Sequence, residues 1–390
     1  MQIPTLRVRE PREMLALIPH QLGFHPAESV VLVSLRPPRG RVGLVVRVDL
    51  TDLADAAAGP RLARALVGHL DRDGAHRAAL VVSTRHDPRS GPDALVAAAA
   101  AHVREAAAVP FGDVAGWVVT STGYLGLDCR DECCPPGGRP LRELDSTEVG
   151  AQMVLVGSAV AGCRQDVARI APAGADARRS VARVRRRWQQ RGLLALGPGP
   201  AAGDEARCAW WQESMRAWRA AVRLVGEHAG GTPPVASGAA PRLGPPLLGR
   251  IEAGLADVRV RDAVLVALVP GTGDLPEHSL ADIRVTPLVD AGMRRALTLV
   301  VDPQVGVPAP EESTAVHERV LEAVVAHGER GGQAPALTLL GLLAWWRGDG
   351  ARAQILLARA LAADSGYRLA ALVDEAVASG LPPGWVRARA

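Results

Sequence analysis

The sequence contains no lysine and no asparagine, and its aromatic share is 3%, with two Phe and two Tyr. A core must therefore be built on Val, Leu and Ala. The missing and scarce residue types share AT-rich codons, whereas the abundant Ala, Arg, Gly and Pro share GC-rich ones. The all-arginine basic set thus reports codon supply before it reports a partner. A net charge of +4 is small for 390 residues and does not by itself imply a polyanion.

Other absences narrow the class. Met1 to Met14 carries Arg7, Arg9, Glu10, Arg12 and Glu13 without an apolar h-region, so no secretory leader is expected. The longest apolar stretch, Ala334 to Trp346, falls well short of the ~20 residues of a membrane span. Five cysteines, three of them clustered, do not make a secreted disulfide framework. A cytoplasmic chain with no membrane span is the expectation. There is no Walker A loop, no G-x-G-x-x-G after a strand, no H-E-x-x-H and no G-x-S-x-G. Standard NTPase, dinucleotide and hydrolase readings fall away with them.

What is present has a clear order. Pro11 to Pro19 predicts a short helix, broken by Gly23-Phe24-His25-Pro26. Ser29 to Leu35 reads as a buried strand and Val42 to Leu50 as its hairpin partner across Pro37 to Gly40. A helix capped by Thr51 or Asp52 runs to about Leu70, followed by a strand at Ala78–Ser83, a helix at Asp93–Ala107 and a strand at Val114–Thr120. The order β-β-α-β-α-β predicts an α/β N-terminal domain with a mixed sheet over 1–145. Helices at Ser146–Ala161, Ala175–Arg191 and Glu205–Glu227 suggest a helical extension over 146–228, and the Gly/Pro/Ala/Ser segment 229–246 a linker. The remainder, 247–390, reads as an all-α domain, with helices at Leu247–Ala256, Val260–Leu268, Glu312–His327, a pair from Pro335 to Ala363, and Tyr367–Ser379. In that pair Leu337, Leu340, Gly341 and Ala344, then Gly348-Asp349, then Ala353, Leu357 and Ala360 have the spacing of one tetratricopeptide-like helix hairpin. No second copy of the repeat is found, so packing is the stronger reading than a binding solenoid.

Four features carry candidate chemistry. His20 and His25 lie in a turn before a buried strand that opens at Ser29, a setting for metal ligation or proton transfer. The plainer reading is that Gly23 and Pro26 shape the turn and the imidazoles bond backbone. Arg47 and Asp49, two residues apart on a strand, share a face and are crevice candidates or an internal ion pair. Cys129, Cys133 and Cys134 are soft ligands for zinc, with Arg130 beside them to favour a thiolate; a structural loop and a redox thiol are the alternatives. No C-x-x-C pair occurs, so a metal site there needs a fourth ligand from elsewhere. The helix bearing Arg179, Arg183, Arg186 and Arg187 offers a cationic face, with Val181, Val184 and Trp188 turned inward. Without interleaved aromatics a solvated face is favoured over a polyanion site, and nucleic acid is disfavoured as a partner.

Several of these stretches together resemble one family. Pro19 to Pro26 with Ser29, Arg47-Val48-Asp49, Cys133 to Gly138, Ala344 to Gly350, Tyr367 to Ala370 and Gly380 to Pro383 are similar to an actinobacterial family, domain-of-unknown-function family four-one-nine-two. The resemblance spans nearly the whole chain and implies a bacterial, high-GC origin. It carries over no function, and in its terms Cys163 and Cys208 are incidental. The expectation is a non-catalytic protein that binds a protein partner or a small ligand. The alternative is a metal- or thiol-dependent enzyme in which the His20/His25 turn and the Cys129/Cys133/Cys134 loop converge.

Overall fold

The structure is a computed structural model describing residues 10–38, 40–85, 87–90, 93–155, 157–158, 160–197, 203–229 and 243–387. Most of the expected linker, 230–242, and the N-terminal residues 1–9 lie outside the described residues. The chain divides into two compact units, with the boundary between Val167 and Ala168. The segment 146–228 is therefore shared between them.

The first unit is built on a sheet of β1 (Ser29–Arg36), β2 (Arg41–Asp49), β3 (Arg77–Ser83), β4 (Ala115–Val119), β5 (Gly123–Gly126) and β6 (Arg139–Pro140). Their spatial order is β2-β1-β3-β4-β5-β6. β1 runs antiparallel to both β2 and β3, whereas β3 and β4 are parallel. The sheet is mixed, as the element order predicts. Its helices are α1 (Pro11–Leu22), α2 (Leu50–Ala54), α3 (Gly59–Arg72), α4 (Ala94–Ala107), α5 (Arg142–Asp145) and α6 (Glu148–Leu155). Strands β1 and β3 are apolar without alternation because both sheet faces are covered. Val30, Leu32, Leu80, Val82 and Val118 pack with Leu53, Ala63, Val67, Val96 and Val103 of α2, α3 and α4. Val31, Val33, Ala79 and Val81, of opposite parity, are equally buried. On that second face Leu15 and Ile18 of α1 stand across from Val81 and Val119.

Local chemistry shifts several boundaries. α1 continues through Pro19 to Leu22, because buried Leu22 holds the last turn on the core, and Gly23, at φ 76°, closes it in the left-handed region. The helix expected from Thr51 to Leu70 is two helices. Asp55 Oδ1 accepts the N–H groups of Ala57 (2.9 Å) and Ala58 (2.7 Å), and Pro60 opens α3, so the chain turns between them. Neither Thr51 nor Asp52 is the cap, since α2 begins at Leu50 directly after β2. The helix expected over Ser146–Ala161 is shorter, with α6 ending at Leu155 and Ala161 bridged to Phe24. β5 and β6 were not foreseen.

The second unit is helical: α7 (Ala175–Leu196), α8 (Asp204–Ala229), α9 (Pro245–Leu255), α10 (Val258–Ala267), α11 (Leu275–His278), α12 (Pro287–Val301), α13 (Glu311–His327), α14 (Ala334–Trp346), α15 (Gly350–Ala363), α16 (Arg368–Ala378) and α17 (Gly384–Arg387). α11, α12 and α17 were not anticipated. Seven of the chain's eight Trp, all but Trp117, belong to this unit. Two close helix approaches depend on glycine. A Cβ on Gly249 of α9 would stand 2.8 Å from the Arg185 backbone nitrogen and 2.9 Å from the Val181 carbonyl oxygen of α7. A Cβ on Gly341 of α14 would meet the Leu357 side chain of α15 at 2.8 Å. That contact is the small-residue approach expected of the tetratricopeptide-like hairpin, and Gly348, at φ 89°, lies in the turn between the two helices.

Two predictions follow from this core. Backbone yields less readily than a side chain, so Gly249→Ala should cost about 1–3 kcal/mol and Gly341→Ala less. Urea unfolding followed by tryptophan emission measures both; equal losses would contradict the packing argument. The second concerns His317, whose ring stacks on Trp218 at a centroid distance of 5.8 Å and whose Nδ1 is buried without a hydrogen-bond partner. Burial, and then the Arg219 charge, push its pKa down from 6.5 to about 4. The unfolded chain takes up this proton near pH 6.5 and the folded chain does not. Stability is therefore complete above 6.5 and falls as pH drops toward 4, by about 3 kcal/mol from this group. His317→Leu should show a flatter pH profile across that window, and an unchanged slope would refute the assignment.

Candidate functional site

At the carboxyl ends of β3 and β4 the first unit encloses a cavity of about 790 Å³. Open α/β sheets bind ligands in this position because the chain leaves parallel strands there and loops can diverge. The register explains which residues arrive. Asp49, Ser29, Ser83, Val119 and Tyr124 form one cross-strand row. Ser83 and Val119 line the cavity, and so do Thr84, Arg85, Thr120 and Ser121 just beyond them. α1 contributes Leu15, Ile18 and His20, the turn into β1 contributes His25 and Glu28, and Leu141, Leu144, Asp145, Val154 and Ser158 complete the wall.

The polar groups are arranged unevenly. His20 Nδ1 lies 3.0 Å from Ser158 Oγ. Burial, and then the charge of His25, lower the His20 pKa below the ordinary histidine value. A hydroxyl–imidazole pair is the start of an activated nucleophile, but that requires a third group to orient the ring. Among the described residues no carboxylate is bonded to the other ring nitrogen, so the pair reads as a positioning contact. Glu28 has φ 43°, a left-handed conformation that costs a non-glycine residue free energy. Its Oε1 accepts the Arg85 backbone N–H at 2.9 Å, which ties the β1 turn to the end of β3. Ser83 is 3% exposed, and its Oγ has no hydrogen-bond partner. A buried hydroxyl left unpaired costs about 1–3 kcal/mol.

The sequence-predicted residues divide among three places. His20 and His25 line the cavity. Ser29 sits beside Ser83 in the register, fully buried, its Oγ also unpartnered. Arg47 and Asp49 bond each other at 2.6 Å, and neither lines the cavity. Glu28, Ser83, Thr84, Arg85, Thr120, Ser121 and Ser158 escaped the sequence reading. A signal existed: two apolar strands end alike, in Val81-Val82-Ser83-Thr84 and Val118-Val119-Thr120-Ser121.

The thiols are gathered separately. The loop joining β5 to β6 brings the Sγ atoms of Cys129, Cys133 and Cys134 within 4.8 Å of one another, a group able to hold a metal ion. Among the described residues no histidine joins that group, and no cysteine lines the cavity. The Asp131 backbone N–H, and then the Cys133 and Cys134 thiols, lower the Cys129 pKa, whereas Cys129 and then Cys134 push Cys133 up to about 11. Arg89 shapes the loop. Its guanidinium donates to the carbonyls of Cys129 (3.1 Å), Cys134 (2.9 Å) and Pro135 (2.9 Å) and pairs with Asp87 at 2.8 Å. That pairing holds the Asp87 carboxyl at about 2.

On α7 the inward face is Val181, Arg185 and Trp188. Arg185 bonds Glu252 at 2.9 Å and also Glu329. Arg179, Arg183, Arg186 and Arg187 are exposed; Arg179 pairs with Asp176, and Arg183 donates to Ser180 Oγ at 3.0 Å.

A mixed-sheet unit with a cavity at its carboxyl rim, accompanied by a helical unit, is the class that fold and site define. The chain belongs to the family described as "Domain of unknown function (DUF4192)", whose model matches residues 11–384. No curated protein and no solved structure matches it.

Arg89 gives the prediction of this site. Arg89→Leu removes the donors of three loop carbonyls and should cost about 1–3 kcal/mol in the first unit. Alkylation of Cys129 and Cys134 by iodoacetamide, followed by mass spectrometry, should accelerate. Arg89→Lys, with one point charge in place of a fork, should fall between. Unaltered alkylation in both variants would show that the loop holds its shape without Arg89.

Proposed function

We propose that the first unit is a non-catalytic binding module for a small ligand with an apolar body and one hydrogen-bonding end. The observation that carries this reading is the cavity of about 790 Å³ with the unpartnered Ser83 hydroxyl in its wall. Leu15, Ile18, Val81, Val119, Leu141 and Leu144 would cover the apolar body. His20 and the Thr120-Ser121 turn would meet the polar end, and a rotation of Ser83, whose hydroxyl is buried within the wall, would give it the partner that the protein does not. Glu28 and Arg85 would hold the rim, since their contact joins the two segments that flank the opening. Zinc belongs to the thiol loop in this reading, apart from the cavity, and takes no part in ligand binding. The helical unit would supply the docking surface for a protein partner. Five free thiols, and the absence of any described helix long and apolar enough to cross a membrane, agree with a cytoplasmic setting.

The test uses an apolar fluorescent anion, anilinonaphthalene sulfonate, and native mass spectrometry of the purified chain. The wild type should bind the dye at one site and carry a small molecule that denaturation releases. Leu144→Trp, which fills the cavity from its wall, should lose both, with secondary structure by circular dichroism unchanged. Ser83→Ala should weaken the dye about tenfold or less, the scale of one hydrogen bond. Equal dye binding by the wild type and Leu144→Trp would end the proposal.

A further inference from the structure

We propose that Cys129, Cys133 and Cys134 bind one zinc ion, with the Asp131 carboxylate as fourth donor. The distances are close to those the metal needs. Tetrahedral zinc with bonds of ~2.3 Å to sulfur and ~2.0 Å to oxygen sets the sulfurs ~3.8 Å apart and sulfur to oxygen ~3.5 Å. Cys129 Sγ stands 3.4 Å from Cys133 Sγ and 3.9 Å from Asp131 Oδ2, and all three sulfurs lie within 4.8 Å of one another. Asp131 stands outside the group of three sulfurs, near Cys129 alone, so its side chain must rotate toward Cys133 and Cys134 to complete the tetrahedron. Three residues between Cys129 and Cys133 hide this arrangement from a search for C-x-x-C pairs, because Asp131 fills the position that a fourth cysteine would take.

The backbone holds the loop in this shape through bonds of its own. Cys129 N–H donates to the Gly126 carbonyl at 3.2 Å, and Cys134 N–H to the Asp131 carbonyl at 2.9 Å. Gly126 N–H donates to Cys134 Sγ at 3.3 Å, an N–H···S bond that aims the sulfur and stabilises charge on it. A Cβ at Gly126 would stand 2.9 Å from the Cys129 Cβ, so β5 must present glycine for the loop to close over it. Arg89 ties both sulfur-bearing stretches from outside and places its positive charge beside a centre that becomes anionic when filled. As the three S–Zn bonds form, three thiol protons pass to solvent; the carboxylate binds as the anion it already is, and no electron is transferred. Thiolate softness and tetrahedral spacing favour zinc over the oxygen-seeking cations. The ion would staple β5 to β6, a short strand pair with little core of its own.

The experiment titrates the reduced, metal-free full chain with cobalt(II) and then zinc(II), under conditions in which a thiol assay counts all five cysteines. One equivalent of cobalt should give the intense thiolate-to-metal charge-transfer band and the visible bands of a tetrahedral site, and zinc should bleach them. Cys133→Ser and Cys134→Ser should each weaken cobalt at least 100-fold, and Asp131→Asn about tenfold with the charge-transfer band retained. Cys163→Ser with Cys208→Ser should change nothing. The wild-type titration stands by itself if a cysteine variant fails to fold. Absence of the band in the wild type with all thiols reduced would overturn the site. So would a Cys129–Cys133 disulfide in the isolated protein whose reduction yields no metal binding. Neither readout uses the cavity, so this proposal and the ligand-binding proposal fail separately.

Discussion

The parallel pairing of β3 with β4 is the constraint from which the rest of the first unit follows. A parallel pair cannot be closed by a tight turn; the chain must cross back over the sheet, and α4 makes that crossing. Both strands then end at the same rim. Ser83-Thr84-Arg85 and Thr120-Ser121 arrive side by side although more than thirty positions separate them in sequence. β1, antiparallel to β3, begins at this rim and brings His25 and Glu28 with it. One choice of strand direction therefore gathers three polar segments around one cavity. The same exit from β3 leads on to Asp87 and Arg89, which bind the thiol loop. Cavity and thiols are separate sites, but a few residues of chain connect them.

Local rules are broken where those segments meet. Glu28 takes a left-handed conformation that glycine would adopt at no steric cost, and Ser29 and Ser83 keep buried hydroxyls without partners. Each choice costs stability, and all three lie within one row of the sheet or one residue of it. Nearby Arg47 and Asp49 bond each other, although the Arg47 Nε is itself buried without a partner. A sequence that accepts several costs in one place is spending stability on something other than the fold.

The helices and central strands were legible because their signals are dense. Val30 to Val33 is an unbroken apolar run, Asp93 caps α4 through its side chain, and Gly341 with Gly348 marks the hairpin of α14 and α15. β5 and β6 were not, since four residues with a glycine at each end and a strand of two give no period to detect. The break at Asp55 had a signal in Gly59-Pro60, which the surrounding alanine-rich stretch outweighs in a reading by propensity. Within the site, the two histidines stood out because an imidazole carries proton-transfer and metal-ligating chemistry wherever it lies. The hydroxyls did not, because Ser and Thr become informative only when strand ends are known to converge.

Arginine stands at every position where lysine could have stood, since the sequence has no lysine, and the structure uses it as lysine could not be used. Arg89 serves three carbonyls and a carboxylate from one planar group, and Arg185 reaches two glutamates from the inward face of α7. The basic run on α7 reads differently as a result. With Arg185 turned into the core, Arg179 paired with Asp176, and Arg191 held between Glu213 and the Trp188 ring, the outward charge is thinner than the sequence suggests. A phosphate-binding face needs cations that converge on one point. This helix commits part of its cations to neighbours, as a face built to hold the fold would.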